Sequence, residues 1–266
     1  MYNKKNVLIT GGASGIGKIM AHNLLEQGAT VIIWDISQKN INDTLSELSP
    51  LGPISANLVD ISNSKSVEEA ANDVLTRYKS IDVLINNAGI VVGKRFDESS
   101  VSDIERVMAI NTNGAMLVVH AFLPSMLKQG SGNICNISSS AALVANPNMS
   151  IYAASKWAVL GWSDSLRLEL KKTGVKVTTI MPYYISTGMF DGVHSRILPI
   201  LKPEKVANVI LKAIRKGKKQ RTIYFWFYRT LRIWQGCLPI SVYDFILGKI
   251  FGIYSTMDHF VGRKSE

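Results

Sequence analysis

A glycine-rich segment near the N-terminus constrains the fold of this chain more than any other feature. It reads Thr10-Gly-Gly-Ala-Ser-Gly-Ile-Gly17, comes directly after the apolar, β-branched run Asn6–Thr10 and opens a helical pattern. Gly11 permits a tight turn, Gly15 lets the backbone approach a pyrophosphate, and Gly17 lets the helix lie close to the strand. Free N–H groups at the start of a helix favour phosphate binding. The segment therefore predicts a dinucleotide-binding unit, although such a turn alone can also serve a tight strand–helix connection.

A carboxylate closes the second predicted strand. Asp35 follows the buried run Thr30–Trp34 and lies 24 residues after Gly11. A carboxylate at this place accepts hydrogen bonds from the 2′- and 3′-hydroxyls of a ribose and repels a 2′-phosphate. Positions 30–38 contain no Arg or Lys that would offset this repulsion. The sequence therefore favours NAD over NADP as the cofactor.

Strand and helix patterns alternate through the first 180 residues. Further β-branched runs lie near Pro53–Leu58, Ile81–Ile85, Gly132–Ile137 and Lys176–Met181, and helical patterns lie near Gln38–Leu48, Ser64–Tyr78, Val101–Leu127 and Tyr152–Lys172. Alternation of this kind predicts an α/β fold, with a parallel sheet covered by helices on both faces. We expect a single domain over residues 1–266, built on a Rossmann-type doubly wound sheet of about seven strands. Residues 1–187 would form the cofactor and catalytic core, and residues 188–266 a helical substrate lid and C-terminal extension.

The composition argues against several kinds of site. Cys135 and Cys237 form neither a disulfide framework nor a CxxC pair, so a reducing cytoplasm is expected. The sequence has four histidines, which are His22, His120, His194 and His259. They are scattered and lack the spacing of metal ligands, so no metal site is predicted. Residues 1–6 are polar and indicate no signal peptide or anchor. The sequence contains no run of about 18 uncharged apolar residues, so a transmembrane helix is not expected.

Further motifs follow the glycine-rich turn in order. Asn86-Asn-Ala-Gly89 follows the fourth strand, Asn111 lies in the long helical pattern, and Tyr152-Ala-Ala-Ser-Lys156 begins another helix. Tyr152 and Lys156 are four residues apart on that helix, so their side chains face the same side. A free tyrosine has a pKa of about 10, and a neighbouring ammonium group favours the phenolate and lowers that pKa. Singly, such residues are more typical of a tyrosine at the edge of the core and a solvated lysine; together with the glycine-rich turn, the pair favours a tyrosine that acts in acid/base catalysis.

These motifs, in this order, resemble those of the short-chain dehydrogenase/reductase family. Ser139, which lies 13 residues before Tyr152, and the stretch Pro182–Thr187 complete the pattern. The resemblance covers about residues 5–215. It implies an oxidoreductase that interconverts an alcohol and a carbonyl by hydride transfer with NAD.

The resemblance also implies roles for single residues. Tyr152 is the general acid/base residue, and Lys156 also holds the nicotinamide ribose. Ser139 hydrogen-bonds the substrate oxygen, although Ser138 and Ser140 flank it and the assignment rests on spacing. Asn111 holds a water on a proton relay behind the lysine. The implied cofactor contacts are Gly11, Ser14, Gly15, Ile16, Gly17, Asp35, Asp60, Ile61, Asn86, Ala88, Gly89, Tyr152, Lys156, Pro182, Ile185 and Thr187.

One position departs from the family pattern. The family usually has glycine after the proline that corresponds to Pro182, whereas this chain has Tyr183 followed by Tyr184. An aromatic pair there is expected to reshape the nicotinamide edge or the wall of the substrate pocket. The resemblance further implies a homodimer or homotetramer that pairs through the helices Val101–Leu127 and Tyr152–Lys172.

Basic charge is concentrated in the C-terminal quarter. Residues 202–266 contain 13 Lys+Arg and 4 Asp+Glu, against 17 and 16 in residues 1–201. From Lys212 to Arg232 the chain carries eight basic residues and no acidic residue, interleaved with the aromatic run Tyr224–Tyr228. The question of what the positive charge does therefore concerns this quarter alone.

Three interpretations of this basic, aromatic segment stay open. In the first, Thr222–Tyr228 forms the last strand of the sheet and is buried on both faces. In the second, the segment contacts an anionic membrane surface, with a helix near Ile240–Ile253 in the interface. The third interpretation, nucleic-acid binding, is not favoured because no nucleic-acid motif accompanies the segment.

Two short stretches bear on the substrate. Thr187–Phe190 and Met257–Arg263 resemble the branch of the family that contains retinol dehydrogenases and lipid-droplet-type hydroxysteroid dehydrogenases. We therefore expect a lipophilic substrate, such as a steroid, a retinoid or a long-chain alcohol or aldehyde, and a cytoplasmic protein that contacts membranes peripherally. The alternative is a catalytically silent NAD-binding sensor or scaffold at a membrane surface. The intact Ser139, Tyr152 and Lys156 argue against that alternative.

Overall fold

The computed structural model of the protein describes residues 2–262; residue 1 and residues 263–266, which include Arg263 of the C-terminal motif, lie outside them. Within the described residues the strands are β1 (Asn6–Thr10), β2 (Thr30–Asp35), β3 (Ile54–Leu58), β4 (Val83–Asn86), β5 (Gly132–Ile137), β6 (Val175–Met181) and β7 (Gln220–Thr222). They form one parallel sheet in the order β3-β2-β1-β4-β5-β6-β7. The order reverses between β1 and β4, where the carboxyl ends of the strands open a crevice of the kind that binds ligands. The predicted doubly wound sheet is confirmed.

Helices cover both faces of the sheet. They are α1 (Gly15–Leu25), α2 (Gln38–Leu48), α3 (Ser64–Tyr78), α4 (Val101–Met108), α5 (Ala115–Gln129), α6 (Ser150–Glu169), α7 (Pro203–Arg215), α8 (Phe225–Cys237) and α9 (Ile240–Phe245). A π-helical segment, Ala109–Gly114, joins α4 to α5, and a second one, Ile246–Ile250, extends α9.

The central strand separates two apolar cores. Val7 and Ile9 of β1 pack in a core with α1, α2 and α7, whereas Leu8 points into the opposite core with α3, α5 and α6. Successive side chains of a strand face opposite sides, so a strand covered on both faces is apolar throughout. The two cores fix the carboxyl end of β1, from which the glycine-rich turn leaves the sheet.

The helix through residues Val101–Gln129 is long and apolar enough to cross a membrane by length and composition alone. Its Val118, Phe122 and Met126 are buried against the sheet in the second core. This burial is what a core helix of a doubly wound fold requires, because its apolar stripe covers one sheet face.

The C-terminal quarter forms a helix where one interpretation of the sequence expected a strand. The prediction that Thr222–Tyr228 forms the last strand is wrong, because β7 ends at Thr222 and Phe225 already begins α8. Phe225 and Trp226 are 40% and 76% exposed, whereas Tyr228 and Leu231, three residues apart, are buried. That spacing is helical. Aromatic composition favours strands only as a context-dependent preference, and packing of one helix face overrides it.

Candidate active site

The glycine-rich turn has a backbone that other residues would not tolerate. Gly11 and Gly15 have φ angles of 61° and 52°, in the left-handed region that favours glycine. A Cβ atom on Gly17 would lie 2.1 Å from the carbonyl oxygen of Gly11. The side chain of Ser14 does not cap α1, so the first N–H groups of the helix are free to bind a phosphate. The shape of this turn therefore fits a pyrophosphate.

Asp35 holds the glycine-rich turn from the end of β2. Its Oδ2 accepts a hydrogen bond from the N–H of Ala13 at 3.1 Å, and its Oδ1 accepts one from the N–H of Ser37 at 3.1 Å. Thr44 donates its hydroxyl to the carbonyl oxygen of Ala13 at 3.1 Å. The carboxylate thus lies beside the turn, where the chain can present a negative charge to a ribose.

Asn87 is a residue that the sequence reasoning missed. Its Nδ2 donates to the carbonyl oxygens of Thr10 and Gly11 at 3.1 Å and 3.0 Å. Its backbone N–H and that of Ala88 both donate to Oγ1 of Thr10 at 3.1 Å. Asn87 comes directly after β4, the strand beside β1, and this adjacency was the signal that could have identified it. It ties the two strand ends together across the crevice.

The predicted cofactor residues fall into two groups. Those that line a large cavity at the crevice are Gly11, Ser14, Gly15, Ile16, Ala88, Gly89, Tyr152, Lys156, Pro182, Ile185 and Thr187. Those that lie outside its lining are Gly17, Asp35, Asp60, Ile61 and Asn86.

Three of the outer residues have local structural partners. The carboxylate of Asp60 accepts hydrogen bonds from the N–H and the hydroxyl of Ser62 at 2.9 Å and 2.7 Å. Ile61 is buried in the core. Asn86 is also buried, and its Nδ2 donates to Oδ1 of Asn136 at 2.9 Å. The Asn86 side chain thus joins β4 to β5, and it also donates to the carbonyl oxygen of Ala115 at the start of α5 at 3.3 Å.

Tyr152 and Ser139 meet at the inner end of the crevice. Tyr152 is buried on the first turn of α6, and its hydroxyl is hydrogen-bonded to Ser139, which follows β5. Burial raises the pKa of Tyr152 to about 12, and the hydrogen bond to Ser139 acts in the opposite direction. The phenol therefore carries its proton at neutral pH.

The two serines that flank Ser139 have other partners. Ser138 donates its hydroxyl to the carbonyl oxygen of Lys156 at 2.8 Å, and Ser140 is hydrogen-bonded to Tyr228. Among these three serines, Ser139 is the one bonded to the Tyr152 hydroxyl. The structure thus gives a geometric reason for the spacing-based choice.

Lys156 lies under the ring of Tyr152. Its Nζ is 5.7 Å from the ring centroid and donates to the carbonyl oxygen of Ile137 at 3.0 Å. Burial lowers the pKa of Lys156 to about 8. The sequence predicted that this lysine lowers the pKa of Tyr152, but the pKa is raised, because burial of the phenol is the largest influence on it.

Asn111 lies in the π-helical segment between α4 and α5. Its Nδ2 donates to the carbonyl oxygen of Ile90 at 2.9 Å and to Oγ of Ser155 at 3.0 Å, and its Oδ1 accepts from the N–H of Ile90 at 2.8 Å. A Cβ atom on Gly89 would lie 3.1 Å from that Oδ1 and 3.4 Å from Nζ of Lys156. Asn111 and Lys156 therefore both lie close to Gly89, beside the position that a Cβ atom would occupy there. Single-turn π segments occur often at functional sites.

An apolar cavity adjoins Tyr152. Its walls away from the glycine-rich turn include Val144, Met149, Met189, Phe190, Leu198, Phe227, Tyr228, Phe251 and Ile253. Among the described residues that line it, Lys156 and Arg196 carry charge and none is acidic. The ring of Phe190 packs edge-on against Tyr152, with the ring centroids 6.1 Å apart. This lining suits a largely apolar ligand with one polar group at Tyr152.

The tyrosine pair after Pro182 forms part of the cavity wall. The rings of Tyr183 and Tyr184 lie 4.6 Å apart. Tyr183 donates its hydroxyl to Oγ of Ser195 at 2.9 Å, whereas the Tyr184 hydroxyl pairs with Oγ1 of Thr256 at 3.0 Å. The pair therefore attaches the lid and the C-terminal segment to the end of β6.

Known proteins are similar to this chain in sequence. The model of the short chain dehydrogenase family matches residues 5–197. Epidermal retinol dehydrogenase 2 of Mus musculus is 31% identical, over 98% of this chain and 86% of its own length. The 17-beta-hydroxysteroid dehydrogenase 13 of Rattus norvegicus is 30% identical, over 81% of this chain and 73% of its own length.

Two solved structures share the fold. A short chain dehydrogenase/reductase from Burkholderia phymatum in complex with NAD superposes with a TM-score of 0.81 at 24% identity, over 89% of this chain and 95% of that chain. A metagenomic short-chain oxidoreductase in complex with NADP gives a TM-score of 0.72 at 25% identity, over 84% and 97%. The chain therefore belongs to the short-chain dehydrogenase family of oxidoreductases, in the branch of the retinol and 17-beta-hydroxysteroid dehydrogenases.

Proposed function

We propose that this protein is an NAD-dependent oxidoreductase that interconverts an alcohol and a carbonyl on a lipophilic substrate. The observation that carries the proposal is the convergence of Tyr152, Ser139 and Lys156 between a glycine-rich crevice and an apolar cavity. The crevice offers phosphate-binding backbone, and the cavity places the Tyr152 hydroxyl in largely apolar surroundings. Substrate, cofactor and acid/base group would thus meet at one place.

NAD fits the residues that form the crevice. The turn from Gly11 to Gly15 and the start of α1 would hold the pyrophosphate, and Asp35 would accept the ribose hydroxyls. Asp60 and Ile61 would lie beside the adenine, and Pro182, Ile185 and Thr187 beside the nicotinamide carboxamide. The negative charge of Asp35 supports NAD over NADP. When bound, NAD supplies the hydride acceptor or donor and, in its oxidised form, a positive charge near the reacting carbon.

Each polar residue of the site has a distinct task in this proposal. Tyr152 donates its proton to the oxygen of a carbonyl substrate, or accepts the proton of an alcohol in the reverse direction. Ser139 donates a hydrogen bond to the substrate oxygen and keeps it within reach of Tyr152. Lys156 holds the ribose hydroxyls and favours the phenolate. Asn111 fixes the backbone of Ile90 and orders a proton path behind the lysine.

The lining of the cavity supports a lipophilic substrate. Nine of the wall residues named above are apolar or aromatic, and seven of these nine come from the lid and the C-terminal segments. The named relatives are a retinol dehydrogenase and a hydroxysteroid dehydrogenase. We therefore propose a steroid, a retinoid or a long-chain alcohol or aldehyde as the substrate class.

We further propose a peripheral membrane contact and a paired assembly. Trp226 and Ile233 of α8 and Phe245 of α9 are large, apolar and exposed, and the surrounding segment is basic. Such a surface suits a cytoplasmic protein that contacts an anionic membrane.

The family resemblance supports a homodimer or homotetramer that pairs through the α4–α5 helix and α6. Helix α6 carries exposed Trp157 and Leu168.

A kinetic comparison of two phenylalanine variants tests the catalytic proposal. Tyr152→Phe removes the hydroxyl that moves the proton, whereas Tyr78→Phe removes a hydroxyl bonded to Ser55 at 3.0 Å, far along the chain in α3. With NAD and a panel of lipophilic and short polar alcohols, Tyr152→Phe is expected to lower kcat about 100- to 10,000-fold. The control should retain the kcat of the wild type.

Three results would contradict parts of this proposal. Activity of Tyr152→Phe within about tenfold of the wild type would refute the role of Tyr152. Equal or better turnover of short polyols would refute the lipophilic substrate class. NAD binding by the wild type, with no turnover of any alcohol or carbonyl in the panel, would favour the alternative of a silent NAD-binding sensor.

A further inference from the structure

A second hollow lies between α6 and α8, on the other side of Tyr228 from the catalytic cavity. Tyr228 lines both spaces. The apolar walls of the second hollow are Leu143, Leu160, Met181, Phe225 and Tyr228. None of the cofactor or catalytic residues named above lines it. The hollow is therefore a separate feature of the C-terminal quarter.

Three arginines line the rim of this hollow. Arg221, Arg229 and Arg232 are exposed, and none of them forms an ion pair with any residue between 2 and 262. The guanidinium of Arg232 lies 5.3 Å from the ring centroid of Trp157, and that of Arg229 lies 5.9 Å from Phe225. Aromatic faces hold guanidinium groups in place without neutralising them.

One carboxylate also lines the hollow, but it already has partners. Oδ2 of Asp164 accepts a hydrogen bond from Nε2 of Gln220 at 2.7 Å, and its Oδ1 faces Arg167 at 3.5 Å. Three guanidinium groups against one carboxylate leave the lining with an excess of positive charge. The hollow is thus complementary to an anion.

Thr222 supplies a hydrogen-bonding group at the same place. It ends β7, is only 6% exposed, and lines the hollow. Its Oγ1 has no hydrogen-bond partner among the residues that the structure describes. Buried hydroxyl groups in folded proteins are nearly always bonded, so this one has a donor proton to offer to an oxygen of a ligand.

We propose that this hollow binds the anionic headgroup of a membrane phospholipid, with its phosphate held by Arg221, Arg229 and Arg232 and by the hydroxyl of Thr222. The inference rests on the membrane contact proposed above and names the lipid group that α8 recognises. Guanidinium groups bind phosphate by paired hydrogen bonds.

The surroundings of the hollow favour a lipid over a free phosphate ion. Trp226 and Ile233 lie three residues before and four residues after Arg229 on α8, and both are exposed on the same side of that helix. Exposed Phe245 and Ile250 follow on the next helical segment. A small soluble ion would give these apolar side chains no partner, whereas a bilayer buries them beside the headgroups.

This arrangement would also place the substrate cavity at the membrane. Phe227 of α8, with Phe251 and Ile253 after α9, lines the catalytic cavity. The same C-terminal segments carry the exposed apolar residues. A lipophilic substrate would therefore pass from the bilayer into the cavity without crossing water.

Vesicle sedimentation with the full chain and NAD tests the proposal. The vesicles contain phosphatidylcholine alone, or phosphatidylcholine with added phosphatidic acid. We compare Arg229→Gln/Arg232→Gln with Lys65→Gln/Lys128→Gln, which removes two exposed positive charges from α3 and α5. Because one cation near an anionic bilayer contributes about fivefold in affinity, the arginine variant is expected to bind about 20-fold more weakly. The lysine variant should lose less than about threefold.

A third variant tests the buried hydroxyl. Thr222→Val keeps the shape of the side chain and is expected to weaken binding to phosphatidic acid vesicles at least about threefold, because one hydrogen bond to a charged group is lost. Circular dichroism confirms that each variant is folded. Unchanged binding by Thr222→Val would overturn the assignment of Thr222.

Other outcomes would overturn the headgroup site itself. Equal weakening by the arginine and lysine variants would show diffuse attraction by net charge. Binding of inorganic phosphate by a protein that does not bind to the vesicles would show a site for a free anion. Turnover of the lipophilic alcohols and carbonyls of the kinetic panel is measured in parallel without vesicles; its absence in the wild type would contradict the proposed enzymatic function and would not affect the vesicle result.

Discussion

Replacing Lys156 with methionine is expected to abolish turnover and, at the same time, to stabilise the cofactor-free protein at neutral pH. Lys156 is only 5% exposed, and its Nζ donates to the carbonyl oxygen of Ile137. It forms no ion pair with the residues that the structure describes. Methionine has a similar length and adapts to irregular space without bringing a charge. The variant therefore separates the catalytic use of the lysine from the free energy that its burial costs.

The magnitude follows from the pKa of the buried amine. Burial lowers the pKa of Lys156 from 10.5 to about 8. A difference of this size corresponds to about 3 kcal/mol of lost stability at pH 7, where the lysine is protonated in both the folded and the unfolded chain. The methionine variant loses the hydrogen bond to Ile137, which costs about 1 kcal/mol. The free energy of unfolding of the variant is therefore expected to exceed that of the wild type by about 2 kcal/mol, which corresponds to a Tm higher by about 5 °C.

The same reasoning fixes the pH dependence. The folded-state pKa of Lys156 is depressed, so below pH 8 the folded protein bears the full cost of the buried charge. Between pH 8 and 10.5 the folded protein releases this proton before the unfolded chain does, and the cost disappears. The stability advantage of Lys156→Met over the wild type should therefore shrink by about 2 kcal/mol between pH 7 and pH 9.5.

Urea unfolding at several pH values, in the absence of cofactor, measures this advantage. Lys128→Met provides the matched control, because Lys128 is an exposed lysine of α5. The control should stay within about 0.5 kcal/mol of the wild type at every pH. A destabilised Lys156→Met variant, or an advantage that does not change with pH, would refute the account of the buried lysine.

Two further predictions concern the glycine-rich crevice. Asp35→Ser removes the charge that would repel a 2′-phosphate, so the ratio of kcat/KM with NAD to kcat/KM with NADP should fall about 10- to 100-fold; an unchanged ratio would contradict the cofactor assignment. Asn87→Ala removes the two hydrogen bonds to Thr10 and Gly11, so urea unfolding should show a loss of about 1–2 kcal/mol and the KM for NAD should rise. An unchanged KM would mean that Asn87 does not order the turn for the cofactor.

The cofactor half of the molecule was readable from the sequence because its constraints are local. The glycine-rich turn needs φ angles that favour glycine, as at Gly11 and Gly15, and strand–helix alternation predicts the parallel sheet. Tyr152 and Lys156 share one helix, so their spacing alone places them on one side. The role of Asn87 was harder to see, because it depends on β4 lying beside β1 in the sheet.

The C-terminal quarter was harder to predict because its constraints come from tertiary contacts. The run after Thr222 has the aromatic composition of a strand, yet it forms α8 because Tyr228 and Leu231 pack beneath it while Trp226 stays exposed. The pKa of Tyr152 also depends on burial, which sequence spacing does not report. Sequence proximity correctly paired the phenol with Lys156, but it did not predict that desolvation would dominate the pKa.

Tyr183 links the parts of the molecule that would decide the substrate. It stands where the family pattern usually has glycine, at the end of β6 beside the cavity. Its hydroxyl holds Ser195 of the lid, and its ring lies 6.0 Å and 6.5 Å from the rings of Tyr224 and Tyr228. Glycine could make none of these contacts. Because Tyr228 also lines the arginine-rimmed hollow, one aromatic cluster supports the lid, the cavity wall and the proposed headgroup site. Recognition of a lipophilic substrate and attachment to a lipid surface would therefore have a common structural origin.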